Sequence, residues 1–334
     1  MTKIFRKLTI GVMAIAMLFS TLFVVAGCNN IRTVFAWYEG DGEYGTFQMF
    51  LNAGETYTVR PERFHFLDVS DIEKIELVVG FETHDNVVSV QGDTLTAINN
   101  GRAEIVVHVH RGIVEFDGSR FNYISMFRMG EVRVLDVEAM TEIRTAQDLA
   151  NMNNDLEGSF VLRADIDLEA DWEGDWIPIG PGSAPNAEPT KNFRGAFINP
   201  DDHEIKNLSI SRTLSYEIDG RVFQAGLFGY LQNAFICGII LEAVNIVALG
   251  EHGANFPRTF VGGITGGAML STIQNSSVSG NIVGNHRVGG IVGSSEFSEI
   301  LNCHFDGNIE LIWHDGNASA GGIAGSMFGV YNPP

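Results

Sequence analysis

Proline, cysteine and basic residues are scarce in this chain. Of its 334 residues only 9 are proline and 3 are cysteine, and 21 lysines and arginines face 41 aspartates and glutamates. Three cysteines cannot staple a chain of this length, so packed cores have to carry the fold. A hydrophobic content of 45% is enough for such cores and argues against a disordered chain. The net charge of −20 repels phosphate backbones, so nucleic acid is not an expected partner. No HExxH, paired CxxC or histidine cluster occurs, and His203-Glu204 lacks the second histidine of a zinc helix. Neither structural zinc nor any other cofactor is expected. Glycine, by contrast, is abundant at 38 residues, which suits many tight turns between short strands.

The N-terminus carries Lys3, Arg6 and Lys7, an apolar run from Leu8 to Val25, and then Val25-Ala26-Gly27-Cys28. This pattern resembles a bacterial lipoprotein signal, with small residues before a cysteine whose thiol takes the lipid. The resemblance implies that residues 1–27 are removed and that Cys28, acylated, holds the protein on the outer face of a bacterial membrane. Losing three positive charges and no negative ones takes the net charge from −20 to −23. Residues 28–45 read as a polar tether. Cys237 and Cys303 remain; they fall in different repeats, at offsets that do not face each other, and both are expected as free thiols.

Between residues 46 and 137, strand-sized segments alternate with turn signals every 8–12 residues, the spacing of a β-sandwich. FQMFLNAGETYTV (47–59) reads as strand, turn, strand, and IEKIELVVGF (72–81) as a further strand. VVSVQGDTLTAINNGRAEIVVHV (87–109) reads as three strands; ISMFRM (124–129) and EVRVLDV (131–137) as two more. The run from Val88 through "GDTLTAINNGRAEIVVHV" resembles the bacterial immunoglobulin-like domains of group 2. That family implies an Ig-like sandwich used as a spacer or adhesion module, with no catalytic residues. His108 and His110 share a strand face and are read as solvent-facing residues of an edge, not as metal ligands.

From 141 to 334 the dominant feature is repetition. VGGITG (261–266) recurs as VGGIVG (288–293), a third copy begins at AGGIAG (320–325), and a looser one at AGLFG (225–229). Counted from Gly263 and Gly290, Ile273 and Ile300 share offset +10, Asn275 and Asn302 +12, and Val278 and Phe305 +15. Gly280 and Gly307 share +17, and Ile282 and Ile309 +19. A 27-residue period is the signature of a solenoid. Parallel stacking at about 4.8 Å would place like on like, giving aliphatic columns and an Asn275–Asn302 amide ladder. The repeat glycines, Gly226, Gly229, Gly263, Gly266, Gly290, Gly293, Gly322 and Gly325, are expected where residues with a Cβ do not fit, with Gly263, Gly290 and Gly322 at corners. About seven rungs of about 25 residues would fill the domain. Thr145-Ala-Gln-Asp148 reads as a capping box that opens a short helix, with Leu149 and Met152 turned to cover the open end.

The segments Asp165-Ile166-Asp167-Leu168, FRGAF (193–197), IKNLSI (205–210) and GLFG (226–229) resemble the GLUG-repeat region of bacterial surface proteins. That resemblance implies a right-handed parallel β-helix. The whole is therefore expected to be all-β: an Ig-like sandwich followed by a capped solenoid that stops in the middle of a repeat near Pro333-Pro334.

Three groups of residues invite chemistry. Asp165, Asp167 and Asp171, with Glu173 and Asp175, crowd together as in a calcium loop, but off the EF-hand spacing, so a solvated acidic turn is the expected reading. A glycosidase would need two carboxylates about 5–9.5 Å apart. Glu296, Glu299, Asp306 and Glu310 align with Met269, Thr272, Ser279 and Val283, so the repeats offer no such pair. Trp172 and Trp313 are candidates for stacking on a glycan. The expected function is thus non-enzymatic: a lipid-anchored surface protein whose β-helix faces bind a glycan or an extracellular protein. A β-helical polysaccharide-active enzyme, or its remnant, and a structural spacer are the alternatives.

Overall fold

The computed structural model describes residues 36–39, 45–58, 74–80, 86–116, 119–182, 191–214, 222–250, 258–312 and 317–328. Cys28 and its lipobox residues Val25, Ala26 and Gly27, as well as Trp313, lie outside them. The described chain divides between Met140 and Thr141 into two compact units.

The first unit is built from strands β1 (Ala36–Glu39), β2 (Gly45–Asn52), β3 (Thr56–Thr58), β4 (Lys74–Val79), β5 (Val88–Gln91), β6 (Thr94–Ala97), β7 (Gly101–Phe116) and β8 (Ser119–Leu135). One sheet has the order β1-β2-β8-β7-β4 and the other β3-β6-β5. Only β2 and β8 pair in parallel within these two sheets. Alternation explains the layering. In β6, Leu95 and Ala97 are buried while Thr94 and Thr96 are not. They share a core with Met49, Leu51, Ile105, Val107, Val132 and Val134 from the other sheet. The segments expected as two strands, 124–129 and 131–137, are instead one 17-residue strand, β8. Gly130 does not interrupt it, because pairing with the equally long β7 absorbs the mismatch in register shifts at Glu104/Val106 and His110/Ile113. His110 Nε2 lies 3.1 Å from Glu76 Oε2, across from β4.

The second unit is a solenoid whose turns from Val222 onward visit four faces in the same order. On the first face lie six parallel strands, from Thr141–Ile143 to Glu299–Leu301, and on the second six, five in a row from Ile166–Asp167 to His304–Leu311 and Ser209–Leu214 pairing Ile240–Gly250. The third and fourth faces hold four strands each, ending at Ser319–Gly321 and Ala324–Phe328. Every pairing among these strands is parallel. In register, Ile273 sits beside Ile300, Val278 beside Phe305, and Ile282 beside Ile309. Asn302 Nδ2 donates to Asn275 Oδ1 at 3.2 Å.

Most rungs are longer than the roughly 25 residues expected from the repeat. Ser159, Ala196, Phe235, Thr272 and Glu299 are successive partners along the first face. Hydrogen-bonded positions beside them measure the steps. Asn199 and Gly238 are 39 residues apart in the chain, Ala234 and Ser271 are 37 apart, and Asn275 and Asn302 are 27 apart. Only the last of these steps has the period read from the repeat, and the first face accordingly holds six strands, not seven.

The glycines need their small size more than their dihedral freedom. A Cβ on Gly266 would lie 2.6 Å from Phe260 O and 2.7 Å from Ala225 N; on Gly293 it would lie 2.5 Å from Val261 N. The last glycine of each motif therefore lets the fourth face lie directly against the backbone of the third. A Cβ on Gly263 would lie 2.7 Å from Gly290 O, and one on Gly290 would run into Gly322 O and the Phe305 ring. Gly263, Gly290 and Gly322 sit in the bends between the third and fourth faces as expected, but none has a left-handed φ: at Gly263 and Gly290 it is the close backbone that excludes a Cβ, and at Gly322 nothing does. The left-handed corners belong to Asn233, Leu270 and Phe297 at one bend, and to Gly238, Asn275 and Asn302 at the next. Asparagine suits these because its short polar side chain tolerates that region.

The N-terminal end is closed by helix α1 (Ala146–Asn151), whose Thr145–Asp148 capping box is formed in both directions. Leu149 and Met152 are buried in the solenoid core. At the other end Leu301, Ile312, Ile323, Met327 and Phe328 are exposed. Cys303 carries a free thiol whose pKa burial pushes up to about 11. Cys237 is instead disulfide-bonded, so the expectation of a thiol fails there.

Candidate ligand groove

The residues around the acidic turn assemble into a groove on the second face. Helix α2 (Leu168–Asp171) starts at Asp167, which accepts from Glu169 N at 3.0 Å and from Asn207 Nδ2 at 2.8 Å. Asp165 accepts from Glu204 N at 3.0 Å, and its Oδ1 lies 3.1 Å from His203 Nδ1. Both carboxyls are held below the usual carboxylate range: Asp165 chiefly by the Glu204 amide, Asp167 chiefly by the Asn207 side chain. Lys206 bridges Glu204 and Glu242, and Glu204 foremost raises its pKa. The acids are thus occupied as caps and ion pairs. Among the described residues no three His, Cys, Asp or Glu side chains are grouped as for a metal, and Asp171 simply ends the helix, exposed.

Beyond α2 the chain runs along the free side of strand Ser209–Leu214, with Trp176 N donating to Ser209 O at 2.8 Å. The two indoles then part in role. Trp176 is 1% exposed and its Nε1 donates to Leu227 O at 3.0 Å, so it is a core residue. Trp172 meets it edge-on at 5.3 Å, is only half-buried, and keeps a buried Nε1 with no hydrogen-bond partner. A buried donor left unmade costs about 1–3 kcal/mol.

These indoles, with Leu168, Glu169, Gly174, Asn207, Ser209, Ala243 and Asn245, line an open cavity of about 360 Å³. A bulge shapes its floor. Two residues, Glu242 and Ala243, stand between Leu241 and Val244 where the next rung has only Ser279. Ala243 takes φ 54° and Asn207, one rung earlier, φ 58°. For alanine that left-handed backbone costs about 1–2 kcal/mol. Strain and bulges of this kind concentrate at binding sites.

From the groove a polar column leads across the rungs. Ser209, Asn245, Asn281 and Asn308 are successive partners in register, and all four are exposed. Sequence reading passed over it, although Asn281 and Asn308 share offset +18 in the aligned repeats. An exposed amide in a strand carries neither the burial nor the charge that marks a column in the repeat, whereas Asn275 and Asn302 stand at a bend. Asn207 was marked only as part of the IKNLSI motif, and Ala243 had no sequence signal, because a bulge one residue long leaves no periodicity.

Fold and groove together define a capped, parallel β-helical repeat protein with an open polar-aromatic face. Comparison with known proteins adds two similarities of sequence. Residues 284–310 match the GLUG motif, a span that covers one turn of the solenoid. The chain is 32% identical over 157 residues to Halomucin from Haloquadratum walsbyi, a match covering 45% of this chain and 2% of Halomucin. A solved structure named IgA1 Protease aligns with a TM-score of 0.25 and 13% identity, over 80% of this chain and 24% of that one. At that score it bears on neither fold nor activity. The chain spans a small fraction of both proteins' lengths.

Proposed function

We propose that this is a lipid-anchored bacterial surface protein, without catalysis, whose β-helix binds an extracellular ligand on its second face. The Ig-like module of residues 46–137 acts as its spacer. The GLUG match and the similarity to Halomucin support association with a cell surface. The groove around Trp172 carries the reading, because it joins a half-exposed indole with an unpartnered Nε1 to exposed polar side chains, the combination that favours an amphipathic ligand such as a sugar. A non-catalytic role is supported by the register. Glu296, Glu299, Asp306 and Glu310 neighbour Met269, Thr272, Ser279 and Val283, so these rungs stack no carboxylate on another.

Two measurements test it. Labelled palmitate should mark the wild type and not Cys28→Ser. The intact mature protein, screened against glycans and extracellular matrix proteins, should bind at least one class, and Trp172→Ala should weaken that binding. Glycan cleavage abolished by replacing a single carboxylate would overturn the reading.

A further inference from the structure

The asparagine column and the Trp172 groove are one continuous surface, since Ser209 and Asn245 belong to both. Amide columns in stacked strands ordinarily bond to one another along the stack. Asn275 and Asn302, at the bend nearby, do so. The Asn245, Asn281 and Asn308 side chains do not: among the described residues they are exposed and make no hydrogen bond. They therefore contribute nothing to the solenoid that a serine or threonine would not, while presenting donors and acceptors once per rung. The rung spacing of about 4.8 Å is close to the length of one sugar residue in an extended chain. Two positions further along the same strands, outward-facing Val247 and Val283 add an apolar strip beside the amides.

Resting on the surface-binding reading above, we infer that a neutral, linear polysaccharide lies along the solenoid axis, one sugar against Trp172 and successive sugars on Ser209, Asn245, Asn281 and Asn308. The ligand is neutral because the surroundings are acidic. Glu169 lines the groove, Asp306 and Glu310 flank Asn308, and the chain as a whole carries −20. A uronic-acid polymer would be repelled along its whole length.

The test is isothermal titration of the intact chain with neutral cello-, xylo- and manno-oligosaccharides from disaccharide to hexasaccharide, with oligogalacturonides as the acidic series. Affinity for one neutral series should rise with length until the column is filled, and acidic oligomers should bind at least tenfold more weakly. Losing two hydrogen bonds, Asn281→Ala with Asn308→Ala should cost the hexasaccharide about tenfold and leave the disaccharide unchanged. Trp172→Ala should weaken every length. Both asparagines are exposed, so the thermal midpoint of the double variant should not move; a shift would call for Asn281→Ser with Asn308→Ser, which keeps a polar group. Affinity independent of length, or equal in wild type and double variant, overturns the track. If the protein binds matrix proteins or other glycans but none of these oligosaccharides, the track fails and the surface-binding reading stands. If it binds nothing, both fail.

Discussion

The early and late rungs of the solenoid differ in everything except their pairing. In the early rungs, stacked positions lie far apart in the chain, as Asn199 and Gly238 do at a separation of 39 and Ala234 and Ser271 at 37. The core there is aromatic, with Phe193 and Phe228 rings 4.9 Å apart and Trp176 in the same cluster. Past Thr272 the separations shorten to 27 between Asn275 and Asn302 and 32 between Arg287 and Ser319, and the interior is Ile273, Ile282, Ile291 and their stacked partners. A short rung leaves no residue over for anything but strand and corner, so its faces are flat. The groove occurs only where rungs are long, with a helical turn, a second indole and a bulged residue to spare. Regular stacking makes the scaffold, and its interruption makes the site.

That contrast can be broken by experiment. The largest expected effect is at Trp176. Its replacement by alanine removes a fully buried indole and one of the two donors to Leu227 O, the other being Ile179 N, which should cost about 3–5 kcal/mol in denaturant unfolding. Trp172→Ala, half-exposed and without a hydrogen bond to lose, should cost far less stability than binding. Equal losses at the two would mean that the groove is part of the core and not an addition to it.

A smaller effect separates the interior of the late rungs from their end. Gly293→Ala forces a methyl against Val261 N and Gly266 O, at 2.5 and 2.6 Å, and should destabilise by about 1–3 kcal/mol. Gly322, the equivalent of Gly290 in the last rung, has nothing within 4 Å of a built Cβ, so Gly322→Ala should be nearly neutral. A marked loss at Gly322 would show that further structure packs on the last rung.

The same contrast explains what could be read from sequence. The late rungs were legible because identical neighbours stack. The offset of 27 between Ile273 and Ile300 in the sequence is the offset between paired strands in the structure. The all-β class and the capping helix followed from local patterns, alternation in one case and a Thr145–Asp148 box in the other. The early rungs resisted, since extra residues between strands change the period without changing the fold. The candidate site resisted most. Trp172 was visible by its type alone, but its separation from Trp176 depends on which indole reaches Leu227 O, a residue 51 positions on from Trp176.

The finest difference lies at the corners. One bend of each rung takes a left-handed residue, and successive rungs put Asn233, Leu270 and Phe297 there, with φ of 52°, 50° and 47°. Asn233 is at ease in that conformation, whereas a leucine side chain pays about 1–2 kcal/mol for it. The backbone bonds of the corner do not depend on the side chain: Asn233 N donates to Met269 O and Leu270 N to Glu296 O, at 3.1 and 3.0 Å. Leu270 is only half-buried, so it recovers part of the strain by covering apolar surface. Leu270→Asn should therefore raise stability by roughly 0.5–1 kcal/mol, seen as a higher denaturant midpoint with an unchanged slope. A lower midpoint would mean that the corner is held by packing. In that case the late rungs, too, would owe their shape to particular side chains and not to the period alone.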